Sequence, residues 1–458
     1  KKMIRKKNKI IKKNKKAPHK KEKVKKISIL LNKVYDNFKK KQKINDKKEI
    51  KFREEQIKKE LEKIKLIEKE FRIKDEDNKK KDDFFKKRDE ELRKKDHQLQ
   101  LKDEDLRLKD KEIKLKDKEQ IIKEEEIKFE NEKVISPGLS LIQRDRDTNL
   151  IYLSYSSPKT QSRTYLYNLK NKDRKLLKEQ EIPSGHNPDD YIVERLECIA
   201  HDGVKIPITI TRNRNTKIDG SANLLLYGYG SYGHSIPPTF SSSRFSLIDR
   251  DIIWVTAHIR GGMERGMKWW KDGKLLNKKN TFKDYISVAK YLIEKKYTSK
   301  KKIIGMGGSA GGLLMGAVVN EEPNLFLGMI MAVPFVDSLT TNLDHSLPLT
   351  IGEFDEFGNA KDNKDHFDYI YSYSPYHNIK KMDYPNILIT TSLSDNRVLF
   401  DEPTKFTAKL REFKTDKNLL FLKTEMNAGH GGKSGRDGAI EELAFDYTFI
   451  LKITEKLI

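Results

Sequence analysis

From residue 223 onward, short unbroken apolar runs alternate with stretches whose apolar residues recur every three or four positions. Runs at 224–227, 252–255, 303–306, 328–333 and 387–390 predict buried strands. Helical spacing predicts helices over 282–294, 312–320 and 403–413. Strands apolar on both faces, alternating with helices, imply a mostly parallel sheet covered on both sides, and so an α/β class. Upstream, residues 139–182 alternate apolar and polar positions. Leu150-Ile-Tyr-Leu-Ser-Tyr and Arg163-Thr-Tyr-Leu-Tyr-Asn read as strands, with Asn171-Lys-Asp as a turn and further strand-like runs across 190–212.

Residues 51–134 contain neither Pro nor Gly and are rich in Lys, Glu, Leu and Ile, which predicts helix. Leu99, Leu106, Ile113, Ile127 and Val134 form one seven-residue series; Leu101, Leu108, Leu115, Ile122 and Phe129 form another. The series are offset by two residues, which at ~100° per residue puts them on nearly opposite faces. A two-stranded coiled-coil seam wants both on one face. A two-faced helix, a helix with more than one neighbour and low-complexity drift all fit the pattern. Ser136-Pro137-Gly138 ends it.

Charge divides the chain the same way. The net +25 of the 458 residues falls as +19 on residues 1–135 and +6 on the remainder. Residues 1–50, with 22 basic and 4 acidic side chains, are expected to be a disordered tail. Binding of this tail to nucleic acid or another anionic surface is the alternative to a solvated tail. The expected organisation is a basic tail over 1–50, a charged helix or coiled coil over 51–135, strands over 136–182 and the α/β domain over 183–458. The single cysteine, Cys198, excludes a disulfide within the chain and suggests a reducing, cytoplasmic setting. No segment has the ~18 uninterrupted apolar residues of a membrane span. Nor is there an apolar core of signal-peptide type near Lys1, although a first residue other than Met leaves open that the chain is a fragment.

The chemistry is concentrated in three loops. Gly307-Gly308-Ser309-Ala310-Gly311-Gly312 sits between a predicted strand and a predicted helix, the arrangement of a nucleophile elbow. Its serine is held in a sharp turn, and the Ala310 N–H at the helix start is placed to stabilise an oxyanion. A serine nucleophile needs a base, and the base an orienting carboxylate. Asp395 and His430 follow in the Ser, Asp, His order of α/β-hydrolases, each just beyond a strand. Ser309, Asp395 and His430 are therefore the expected catalytic residues.

Several segments then resemble the prolyl oligopeptidase family, most closely its oligopeptidase B branch. They are Leu225-Leu-Tyr-Gly-Tyr-Gly-Ser-Tyr-Gly, Arg260-Gly-Gly-Met-Glu, Lys279-Asn-Thr-Phe-Lys-Asp-Tyr, Gly307-Gly-Ser-Ala-Gly-Gly-Leu-Leu-Met-Gly, Val333-Pro-Phe-Val-Asp, Ser372-Tyr-Ser-Pro-Tyr and Gly429-His-Gly-Gly-Lys-Ser-Gly-Arg. The resemblance implies an α/β-hydrolase fold over about half the chain and serine endopeptidase activity on short peptides, without a cofactor or metal. It implies that Tyr229 joins the Ala310 N–H in the oxyanion hole and that Arg397 holds a substrate carbonyl. It further implies cleavage after Lys or Arg, with the cationic side chain bound by two acids of a Gly-Glu-aromatic-Glu-Glu run. The corresponding run here is Gly352-Glu353-Phe354-Asp355-Glu356, so Glu353 matches and Asp355 is one methylene shorter. A packed aromatic, a surface ion pair and a solvated acidic loop are the non-functional readings of Tyr229, Arg397 and the run.

Family members carry a seven-bladed propeller over the site. Residues 139–182 resemble only its last strands, so most of the propeller is expected to be missing, with the lysine-rich helix in its place. A weakened or broader-specificity hydrolase remnant is accordingly the alternative function. Self-cleavage of the basic tail through an uncovered site is a further expectation.

Overall fold

A computed structural model of the chain describes residues 149–456, the strand Gly138–Leu141 and isolated earlier positions. The chain divides into two units, Lys1–Asp110 and Lys111–Ile458. In the first, Asn32, Lys33 and several positions between 54 and 62 are helical and exposed. Val134, the last member of the first heptad series, is a buried bend rather than helix; the expected basic tail and the rest of the series otherwise lie outside the described residues.

The second unit opens with an antiparallel meander of β1 (Gly138–Leu141), β2 (Leu150–Tyr155), β3 (Arg163–Asn168) and β4 (Arg174–Glu179). Ile151, Leu153 and Tyr167 form its small core. These are the only propeller-like strands among the described residues. The Ser156 hydroxyl accepts from the Phe240 N–H at 3.0 Å, and His186 Nε2 lies 2.7 Å from the Lys159 carbonyl, which ties the meander to the domain that follows.

That domain is built on eight strands: β5 (Tyr191–Ile199), β6 (Lys205–Asn213), β7 (Asn223–Tyr227), β8 (Ile252–Ala257), β9 (Ile303–Gly308), β10 (Phe326–Ala332), β11 (Asn386–Ser392) and β12 (Leu420–Glu425). Their order across the sheet is β12-β11-β10-β9-β7-β8-β6-β5. β6 runs antiparallel to both β5 and β8, and every other neighbouring pair is parallel. Alternation along each strand feeds two cores. Leu224, Leu226, Ile253, Val255, Met329 and Met331 enter one; Leu225, Ile252, Trp254 and Ile330 enter the other. Helices α1 (Lys279–Glu294) and α2 (Ala310–Glu321) cover the first face, with α3 (Asp401–Phe413) contributing Phe406 and Leu410. Helix α4 (Arg436–Ile453) and the short helix Ser242–Ile248 cover the second. This is the mostly parallel, doubly covered sheet expected from the apolar pattern, in the α/β-hydrolase arrangement that the resemblance implied. Cys198 is fully buried in the first core, and burial pushes its thiol up to about 12, so it stays protonated and inert.

Candidate active site

The elbow forms where β9 passes into α2. Ser309 has φ 56° and ψ −120°, a conformation that typically costs a non-glycine residue ~1–3 kcal/mol. Surrounding hydrogen bonds hold it there. The Ser309 N–H donates to the Ala332 carbonyl at 2.8 Å, and the Ser309 carbonyl accepts from the N–H groups of Gly312 at 2.8 Å and Phe335 at 3.0 Å. The tight crossing needs bare backbone. A Cβ at Gly307 would lie 2.4 Å from the Gly311 carbonyl oxygen, and one at Gly312 would lie 2.3 Å from the Pro334 Cβ. The Ala310 N–H opens α2 and so has no carbonyl one turn earlier to bond; it is left for another acceptor.

Ser309, Asp395, His430 and Tyr229 all lie at or just past the C-terminal ends of parallel strands β9, β11, β12 and β7. Ligand sites of open α/β sheets gather at this edge. The structure brings the first three into one line. His430 Nε2 lies 3.0 Å from Ser309 Oγ, and Nδ1 lies 2.7 Å from Asp395 Oδ2. With Nδ1–H donating to the carboxylate, Nε2 is the acceptor for the serine proton. Asp395 is only 4% exposed, and its other oxygen accepts from the N–H groups of Arg397 at 2.9 Å and Val398 at 3.0 Å. Those two bonds fix the carboxylate plane. The His430 loop is held by Glu442 on α4, which accepts from the Lys433 N–H at 2.9 Å.

The Tyr229 ring packs against the elbow, where a Cβ at Gly311 would lie 3.2 Å from its Cδ2. Burial, with the nearby Glu356 charge, pushes this phenol up to about 12, so it remains a proton donor at neutral pH. Arg397 is exposed, and its guanidinium forms no ion pair among the described residues. The two acids of the run meet different partners. Glu353 accepts from the Tyr232 hydroxyl at 2.8 Å, and burial raises its carboxyl to about 7. Asp355 is ion-paired with Lys274 at 2.7 Å.

Sequence reasoning passed over the pair that braces these parts. Lys278 is 1% exposed and Glu356 3% exposed, and they meet at 3.0 Å. Lys278 Nζ also donates to the Gly230 carbonyl at 2.8 Å and to Ser231 Oγ at 2.6 Å, while Trp270 Nε1 donates to the other Glu356 oxygen at 2.7 Å. The loop carrying Tyr229 and the acidic run are thus tied to one buried ammonium. Nothing in the spacing of Lys278 and Glu356, 78 residues apart, marks them as partners. Away from this site, His201, Asp202 and Asp284 have metal-donor chemistry, but the Arg260 guanidinium already bonds both carboxylates at 2.5–3.2 Å. A fixed cation there fits poorly with a second one.

Residues 238–456 match the model of the prolyl oligopeptidase family. The chain is 44% identical over 322 residues to dipeptidyl aminopeptidase BI of Pseudoxanthomonas mexicana, covering 70% of this chain and 44% of that protein. It is 45% identical over 311 residues to protease 2 of Moraxella lacunata, covering 68% and 45% respectively. The structure of oligopeptidase B from Leishmania major superposes with a TM-score of 0.68 at 37% identity, over 72% of this chain and 46% of that one. The chain therefore spans less than half the length of these relatives. Residues 238–456, which hold the elbow and the loops of Asp395 and His430, are a catalytic region of the prolyl oligopeptidase family.

Proposed function

We propose that the chain is a serine endopeptidase that hydrolyses short peptides on the carboxyl side of Lys or Arg. The observation that carries this reading is the unbroken hydrogen-bonded line from Ser309 through His430 to Asp395. Ser309 Oγ attacks the scissile carbonyl carbon as its proton passes to His430 Nε2. The carbonyl oxygen gains negative charge and accepts hydrogen bonds from the Ala310 N–H and the Tyr229 hydroxyl. Collapse breaks the C–N bond, and His430 returns the proton to the leaving amine. Water then repeats the sequence on the acyl-enzyme, releasing the acid and restoring Ser309. Arg397 orients the peptide through a backbone carbonyl, and Glu353 faces the basic side chain.

A fluorogenic peptide with Arg before the scissile bond tests this, alongside fluorophosphonate labelling. Turnover that vanishes in Ser309→Ala is expected. No turnover together with no labelling of Ser309 would refute it. A broader-specificity hydrolase is the second reading, favoured by the engagement of Asp355 with Lys274. Comparable hydrolysis of simple esters and basic peptides would select it.

A further inference from the structure

Two lysines from one turn meet the acidic run. Lys274, 8% exposed, pairs with Asp355 at 2.7 Å and lies 3.6 Å from the centre of the Trp270 ring. Lys278 pairs with Glu356. Glu353 has a neutral partner instead, the Tyr232 hydroxyl, and no Lys, Arg or His pairs with it among the described residues. Of the three acids, Glu353 is thus the one left without a cationic partner. A carboxylate already joined to a fixed ammonium gains little from a second cation, which also meets the ammonium's repulsion. Displacing Lys274 would in addition forfeit its contact with the Trp270 face, an interaction that strengthens as water is excluded.

We infer that Lys274 is a specificity-determining residue: by occupying Asp355 it withdraws one of two potential acids from the basic-residue pocket and leaves Glu353, with Tyr232, to select the substrate cation. This rests on the proposed preference for Lys or Arg, and it differs from a two-acid pocket in a measurable way. With Lys274 in place, Asp355 is dispensable for cation recognition. Without it, Asp355 becomes a second attractive group.

The test is calorimetric titration of the full chain with agmatine, an arginine side chain lacking the carboxylate. Methionine at 274 keeps the apolar stem over Trp270 and removes only the charge. Lys274→Met is expected to tighten agmatine binding by about tenfold, near the lower end of the coupling measured for close charge pairs. Asp355→Asn alters it by less than about twofold, and Lys274→Met with Asp355→Asn behaves as Asp355→Asn alone, because the effect passes through that carboxylate. Glu353→Gln weakens binding by about tenfold or more. If wild-type binding is too weak to measure, Lys274→Met is expected to make it measurable. Asp355→Asn weakening agmatine as much as Glu353→Gln does would overturn the inference, as would Lys274→Met leaving binding unchanged, weaker or still undetectable. Agmatine binding needs no turnover. The expected pattern without peptide hydrolysis would refute the peptidase reading and leave the role of Lys274 standing, and the reverse result would do the opposite.

Discussion

Replacing Lys278 by methionine should damage both stability and chemistry. The ammonium is held charged by Glu356 against burial that pushes its pKa down. Its loss strands the Glu356 carboxylate, 3% exposed, with the Trp270 N–H as its remaining strong donor. Removing one partner of a buried ion pair typically costs ~3–5 kcal/mol. The Gly230 carbonyl and Ser231 hydroxyl also lose their bonds to Nζ. Gly230 follows Tyr229, so the phenol should drift from the oxyanion position, where a misplacement of ~1 Å can cost ~100-fold in rate. Guanidinium unfolding measures the first effect, and the rate of fluorophosphonate labelling of Ser309, taken where the variant remains folded, measures the second. Lys278→Met with Glu356→Leu should recover much of the stability, because an apolar pair tolerates burial, while labelling stays slow. A stability loss below ~1 kcal/mol in Lys278→Met, or labelling at the wild-type rate, would refute the bracing role.

Three further outcomes follow from the same geometry. Asp395→Asn should lower kcat on the Arg peptide by ~10⁴-fold, since an amide in place of the carboxylate no longer orients the required imidazole tautomer; a loss under tenfold would exclude the His430–Asp395 bond as catalytic. The Glu353 carboxyl, raised to about 7 by burial, is neutral below that pH and charged above it. The ratio of kcat/KM for Arg over norleucine peptides, in which His430 ionisation cancels, should therefore rise by up to about tenfold from pH 6 to 8; a flat ratio, or the same rise in Glu353→Gln, would count against this. Burial raises the Glu402 carboxyl from 4.5 to about 8, so the fold binds a proton that the unfolded chain releases, and stability falls as pH rises through that window. Glu402→Gln, whose amide can accept from the Asp337 N–H and donate to the Thr341 hydroxyl, should narrow the melting-temperature gap between pH 6 and pH 8.5, and an unchanged gap would show that Glu402 does not set it.

Much of the fold is written in local pattern. The apolar runs that predicted strands correspond to β7, β8, β9, β10 and β11, and the helical spacing to α1, α2 and α3. Two elements were poorly legible. Strand β4 is exposed at nearly every position, so burial leaves no alternation in it. Helix α4 buries Tyr447, Phe449 and Ile450 but exposes Ile440 at 53% and Phe445 at 40%, which blurs any single apolar stripe.

The sequence by itself determined the class of sheet, the strained turn at Ser309 and the loops that carry Asp395 and His430. Each depends on interactions among neighbours: alternation along a strand, glycines where backbones must touch, a helix beginning straight after a serine. Tertiary structure decided which charges meet. It drew Lys274 onto Asp355 across 81 residues and Lys278 onto Glu356 across 78. Charge pairing over such separations has no period and no motif. It depends on where the folded sheet places the ends of its loops and on how far burial raises the cost of leaving a charge alone.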